Sequence, residues 1–284
     1  MRFTLTQSLS ALALSSVLLG VLTDHGWPIE LAAVAALLVG AACGAINGGL
    51  VTVIGLPSLA VTIGTLALFR GVAVGLLGTT AITDFPDSWK HQAQGQLGTS
   101  GVPNIMVPFA VLAVIFIVLL HFTPFGRGVY AIGQSQEAAR FSGIKVERTK
   151  MIAFVLSGVV SAFAGIYYTL RFGSARGDNA TGLELQVIAA VLLGGVSIFG
   201  GRGSLPGVVA GVLLIGVLGS ALRLDNYTSD VIQVITGVLL VLSVVATSVL
   251  GWIAGRRRRP PKPAEPGSPT GPPTSESALS SPPK

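Results

Sequence analysis

Three histidines and one cysteine are the side chains of this 284-residue sequence best suited to metal binding or nucleophilic attack, and their spacing serves neither. His25, His91 and His121 are isolated in different loops or segment ends, without a His/Cys/Asp cluster at ligand spacing. Cys43 lies between Ala42 and Gly44 in an apolar run, where it acts as a small packing residue, and a lone cysteine has no partner for an internal disulfide. Nucleotide chemistry fares no better. A phosphate-binding loop of the form GxxxxGK[ST] needs its lysine to reach the phosphates, and the chain contains no Gly-Lys pair. Gly200-Gly-Arg-Gly-Ser204 resembles a phosphate cradle but is a short connection without the lysine. The expectation is a chain with no catalytic residue, no metal and no cofactor, in which any use of ATP falls to another subunit.

What such residues must be positioned by is a set of long apolar elements. The sequence is 51% hydrophobic and only 11% charged, a balance that fits lipid rather than water as the main solvent. Crossing a hydrocarbon core of about 30 Å takes roughly 20 apolar helical residues. Eight runs approach or meet that length: Leu5 to Leu22, Ile29 to Ile54, Pro57 to Gly78, Ile105 to Phe122, Met151 to Leu170, Leu185 to Phe199, Leu205 to Leu222 and Val231 to Leu250. The sixth is short and reads as a half-helix or as one fused to its neighbour. The fold expected is therefore all-α and polytopic, with about eight transmembrane helices.

The net charge of +6 invites a nucleic-acid reading, but the basic residues fall in loops and a tail rather than on an aromatic-studded face, so no nucleic acid is expected. They mark orientation instead. Lys and Arg gather on the cytoplasmic side of membrane proteins, and here they cluster at Arg127, Arg140, Lys145, Arg148 and Lys150, and again at Arg256 to Arg259 with Lys262. Threading eight crossings between these anchors puts both termini in the cytoplasm and 79–104, 171–184 and 223–230 outside. A membrane domain over 1–255 is followed by a basic, Pro-rich tail over 256–284, too poor in apolar side chains to offset its ordering entropy and expected to be disordered. Gly40, Gly44 and Gly48 in the second run, and Gly194 and Gly195 in the sixth, predict close helix contacts in the lipid.

One cytoplasmic loop carries a compact signal. Ser135 can cap a short helix starting near Gln136, Glu137 suits its first turn, and Gly143 can end it. Glu137-Ala-Ala-Arg-Phe-Ser-Gly143 is similar to the EAA-xxx-G loop of ABC importer permeases, whose short helix docks on an ATPase subunit. Ala138, Ala139 and Gly143 offer little bulk to an approaching surface, and Glu137 and Arg140 are placed to pair at its rim. Four further stretches strengthen the match: Thr62-Ile-Gly-Thr-Leu-Ala-Leu-Phe-Arg-Gly71, Gly126-Arg-Gly-Val-Tyr-Ala-Ile-Gly133, Gly182 to Ala190, and Leu193 to Ser204. In this order, from about Ala32 to Val245, they resemble the ribose-type branch of ABC sugar importer permeases, which includes ribose, rhamnose and autoinducer-2 permeases. Phe172-Gly-Ser-Ala-Arg176 leans toward the autoinducer-2 and rhamnose members.

The resemblance implies a membrane-spanning permease subunit in the plasma membrane of a prokaryote. It would be paired with a second permease chain as homodimer or heterodimer, driven by cytoplasmic ABC ATPase subunits and fed by an extracytoplasmic solute-binding protein. It assigns Glu137, Ala138, Ala139, Arg140 and Gly143 to ATPase coupling. Gly64, Thr65, Arg70, Gly194, Gly195 and Phe199 are placed on a translocation path, and Arg171, Arg176, Asp178 and Glu184 at the binding-protein docking surface. Arg70 could equally reach outer headgroups, and the glycines could serve helix packing alone. Two departures stand out. Members carry one or two earlier segments before a motif near Asp-x-Ser-x-Gly-Ser, where this chain has Phe3-Thr-Leu-Thr-Gln-Ser8, as if shortened at its N-terminus. The family's Glu-Leu-Asp reads Glu184-Leu-Gln186 here. The alternatives are an ATP-independent secondary transporter, which would usually carry an ion-coupling carboxylate that no run shows at its centre, and a truncated paralogue that does not transport.

Overall fold

The computed structural model describes residues 5–78, 80–96, 98, 101–177, 182–197, 200–201 and 203–257. The chain divides into two compact units, Met1–Val245 and Ala246–Lys284. Within the second, only the end of the last helix is described, and the expected tail from 258 onward lies outside the described residues.

Eleven helices occupy the described residues: α1 Leu5–Asp24, α2 Ile29–Thr52, α3 Ser58–Leu77, α4 Asp87–Gln94, α5 Met106–Phe122, α6 Pro124–Gln134, α7 Gln136–Phe141, α8 Val146–Phe172, α9 Leu183–Leu193, α10 Leu205–Leu224 and α11 Ser229–Arg257. Each of the eight apolar runs supplies one helix, the sixth only as far as Leu193, and two isolated bridges, Ile82 with Ala175 and Gln96 with Pro103, are the extended pairings described. The molecule is a polytopic helical membrane protein. Among the described residues, helices α2, α3, α8 and α10 are long and apolar enough to cross a membrane, and α5 with α6, bent by 71° at their junction, make a fifth when the pair is counted as one broken span. At 11 residues, α9 rises about 16 Å, half the hydrocarbon thickness, which makes it the half-helix its short run predicts.

Helix α1 is the centre of the packing, touching α2, α3, α8 and α9. Ala11, Ser15, Ser16, Val17 and Leu19 are all fully buried, as befits a helix that is apolar on every side. The tightest crossing is α2 on α8. A Cβ on Gly40 would lie 2.7 Å from the Gly158 carbonyl oxygen, one on Gly44 2.8 Å from Val155 Cα, and one on Gly48 2.6 Å from Met151 Sδ. At Gly40 and Gly44 the crowding atoms include main chain that cannot move aside, so only hydrogen fits there, whereas at Gly48 the nearest atom is the end of the flexible Met151 side chain. In lipid, where apolar burial between helices drives little, such backbone approach supplies the attraction. Polar side chains add to it: the Thr169 hydroxyl of α8 lies 2.6 Å from Ser16 Oγ of α1, and Ser15 donates to the Ala36 carbonyl at 3.3 Å. Asn47 of α2 is the exception. It is fully buried, and neither its Nδ2 nor its Oδ1 has a hydrogen-bond partner.

The loops sort to two ends. At one, Ile82 and Ala175 exchange backbone hydrogen bonds of 3.1 and 2.8 Å, and Gln94 donates to the Arg171 carbonyl at 2.9 Å. At the other lie α6, α7, the start of α8 and the turn before α10, joined by helix contacts and by the Tyr130 hydroxyl on the Gly203 carbonyl.

Candidate functional site

Helix α7 is built as the sequence reads. Ser135, in extended conformation, accepts the Ala138 N–H through its hydroxyl at 3.3 Å, closing the first turn. At the other end the Ile144 N–H reaches the Ala139 carbonyl at 3.1 Å and the Gly143 N–H reaches Arg140 at 3.0 Å, which is the paired Schellman closure. Gly143 takes φ +79°, with open space where a side chain would be, so its backbone conformation rather than crowding favours glycine there. Six residues with both ends satisfied form a stiff knob, too short to hold together on local propensity alone.

The knob presents a specific face. Ala139 is buried against the body of the protein, while Glu137, Ala138 and Gly143 are exposed. Phe141 is 93% exposed, the highest value of any large apolar side chain described. Arg140 pairs with Glu147 of α8 rather than with Glu137, so the expected rim pair is replaced by one that ties the knob to α8. Both members are about half exposed, and a pair of this kind contributes at most about 1 kcal/mol. Lys150 donates to Gln136 Oε1 at 2.7 Å, a second tie between the same elements. The sequence reading did not single out Phe141. Its signal was there, as an aromatic residue flanked by Arg140 and Ser142 in an otherwise polar surface helix.

Beneath the knob, α6 forms a platform. The chain turns sharply out of α5 at Thr123, whose side chain accepts the Gly126 N–H at 3.4 Å, with Pro124 in the first turn. A Cβ on Gly126 would sit 2.5 Å from Leu120 Cα, so glycine permits the 71° bend. Farther along, a Cβ on Gly133 would meet Gly201 N at 2.6 Å, and Tyr130 donates to the Gly203 carbonyl at 3.2 Å. Two stretches that drew attention separately, Gly126 to Gly133 and Leu193 to Ser204, are thus in backbone contact.

The residues assigned to a translocation path are not gathered. Gly64 opens to space on α3, whereas Thr65 is buried and donates to the Val61 carbonyl at 2.9 Å. Arg70 is half-buried. Gly194 packs against α10, its missing Cβ 2.6 Å from Val208 Cα, and Gly195 turns at φ +80° with open space beside it. Among the described residues α3 packs on α1 and α2, α9 packs on α10 and α1, and α3 and α9 do not meet. Phe199 lies outside the described residues. Of the docking set, Arg171 and Arg176 are exposed at one end of the bundle, Glu184 begins α9, and Asp178 lies outside the described residues. Among the described residues no group of three His, Cys, Asp or Glu side chains could hold a metal.

Comparison with known proteins decides the family. Residues 8–244 match the family model described as the branched-chain amino acid transport system permease component. The chain belongs to this permease family. Among its relatives are the autoinducer 2 import system permease proteins LsrD of Yersinia enterocolitica, 38% identical over 246 residues that cover 84% of this chain and 74% of the relative, and of Salmonella typhimurium, 36% identical over 261 residues that cover 87% and 78%. That of Yersinia pseudotuberculosis is 37% identical over 263 residues, covering 88% and 78%. No solved structure matches the chain. The permease is of the ribose-type ABC branch, as the four motif stretches indicate. It is an integral multi-pass membrane component of an importer rather than an enzyme. Its family match begins at residue 8, earlier than the motifs alone reach.

Proposed function

We propose that this permease is the membrane-spanning subunit of a binding-protein-dependent importer for a small sugar-like solute, driven by separate cytoplasmic ATPase subunits that grip α7. The observation that carries the proposal is Phe141, an almost fully exposed aromatic side chain on a helix closed at both ends. An apolar ring held in water on a stiff knob favours a partner with a pocket for it, and buried aromatic anchors commonly carry about 2 kcal/mol or more of an interface. The relatives named for autoinducer 2 import support a solute of that size and polarity.

In this reading the end bearing α6 and α7, with its clustered Lys and Arg, faces the cytoplasm. The end bearing Arg171 and Arg176 faces outward and receives the solute-binding protein. Both termini are cytoplasmic, and the membrane is the inner membrane of a prokaryote. A second permease chain, identical or similar, completes the pathway that α3 and α9 do not close within one chain. Nucleotide-driven closure of the ATPases then moves α7, and through α6 the turn at 200–204, between two arrangements of the bundle.

The test is to tag the chain at its native locus, purify it in mild detergent and identify co-purifying chains by mass spectrometry. A stoichiometric P-loop ATPase retained by the wild type and lost from Phe141→Asp is the expected result. Recovery of a folded permease with no ATPase, or an ATPase indifferent to Phe141→Asp, would overturn the assignment of α7.

A further inference from the structure

A recess of about 420 Å³ opens between α4, α5 and α8, with Trp89, Gln92, Asn104, Val107, Phe163 and Tyr167 among the residues that line it. Helices α5 and α8 do not meet among the described residues, so the space is a gap between two apolar helices, closed over by α4. The closure is firmly made. Tyr167 donates to the Ala93 carbonyl at 2.5 Å, Asn104 Nδ2 to the Gln92 carbonyl at 3.0 Å, and the Asn104 N–H to the Gly95 carbonyl at 3.0 Å.

Those bonds leave a definite remainder. The indole N–H of Trp89, the side-chain amide of Gln92 and Oδ1 of Asn104 take no part in the described hydrogen bonds. An amide offers both donors and an acceptor, and an indole offers one donor. They stand around a cavity whose other walls are aromatic and aliphatic, within the volume range of small-molecule sites, which are mostly apolar with a few fixed polar groups. Aromatic faces that accept C–H surfaces, beside neutral amides that pair with hydroxyl groups, suit an uncharged polyhydroxylated molecule. A carboxylate or ammonium would find no opposite charge among the residues lining the recess.

The location adds an independent argument. Leu170 lines the recess, its neighbour Arg171 is held by Gln94, and Arg171 and Arg176 stand at the end where solute would be delivered. We propose that this recess is an entry subsite, in which a small polyhydroxylated solute stacks on the aromatic rings and pairs with Gln92 and Asn104 before it enters the bundle. The proposal rests on the importer reading above but assigns residues that reading does not use.

Full-length protein in nanodiscs, carrying Trp27→Phe and Trp252→Phe so that Trp89 alone of the three tryptophans remains, is titrated with D-ribose, L-rhamnose and autoinducer 2, and with L-leucine as the contrast. A saturable change in Trp89 emission with at least one of the first three, weakened tenfold or more by Gln92→Ala and by Phe163→Ala, is the expected result. Phe163→Ala leaves every loop hydrogen bond in place, so its effect would not come from unfolding of α4. Three results would each overturn the subsite: no response to any of the three sugars, a response to L-leucine alone, or a response to short-chain phosphatidylglycerol alone. If these occur while the tagged chain still brings down its ATPase, the importer reading stands without the subsite.

Discussion

Gly40 of α2 and Gly158 of α8 meet so closely that the first methyl group added to Gly40 would come within 2.7 Å of the Gly158 carbonyl oxygen. The atoms that crowd Gly40 are the Cβ of Ala162 and the main chain of Gly158, none of which can turn aside by changing a rotamer. Gly40→Val should therefore cost about 1–3 kcal/mol or more by overpacking, read as a lower melting temperature in detergent. Gly49, next to Gly48 but on another face of α2 with nothing within 4 Å, is the contrast: Gly49→Ala should leave melting unchanged or raise it, since alanine favours helix over glycine by up to about 1 kcal/mol. Equal losses in both would mean that the α2–α8 crossing is not where the stability lies.

Gly143 offers a test of conformation against bulk. Its φ of +79° sits beside open space, so asparagine, which tolerates the left-handed region, should preserve the end of α7, while valine should disfavour it by about 1–2 kcal/mol. The measurement is ATPase retention on the purified chain. Valine and asparagine behaving alike would show that the Schellman closure is dispensable.

Asn47 should be better replaced than kept as far as stability goes. An amide buried without partners costs about 1–3 kcal/mol, whereas an apolar group of similar shape is neutral or stabilising. Asn47→Leu is expected to melt at or above the wild-type temperature, and Asn47→Asp well below it. A lower melting temperature for the leucine variant would mean the amide is satisfied in the assembled protein.

The Arg140–Glu147 pair is half exposed, so Arg140→Ala should change thermal stability by no more than about 1 kcal/mol. The loss should vanish in 1 M salt, where the screening length falls to about 3 Å. A larger, salt-independent loss would place the pair in a buried network instead.

The sequence made some of this architecture legible because membranes impose simple rules. Eight apolar runs are eight helices, and the Gly40, Gly44, Gly48 series lies on the face that meets α8, because a spacing of four stays on one side of a helix. Ser135 and Gly143 marked the ends of α7 by chemistry local to each residue. What stayed hidden was non-local or contrary to propensity. Three glycines in the 11 residues of α6 argue against a helix, and the platform forms because those glycines allow contact with Leu120 and Gly201. Helix α4 is short and polar, and it is held by partners remote in sequence, among them Tyr167, more than seventy residues away. Gly64 and Gly194 were grouped by motif, but which helices become neighbours is written in no periodicity, and α3 and α9 remain apart.

The contact between Gly133 and Gly201 is main chain against main chain. A joint of that kind has no flexible linker to stretch and no rotamer to turn, so it has little play. Displacement applied to one side arrives at the other with little loss, as in a pushrod rather than a spring. Its tolerance is correspondingly narrow: one added methyl group at Gly133 would meet the main chain of Gly201 and force α6 and the turn before α10 apart.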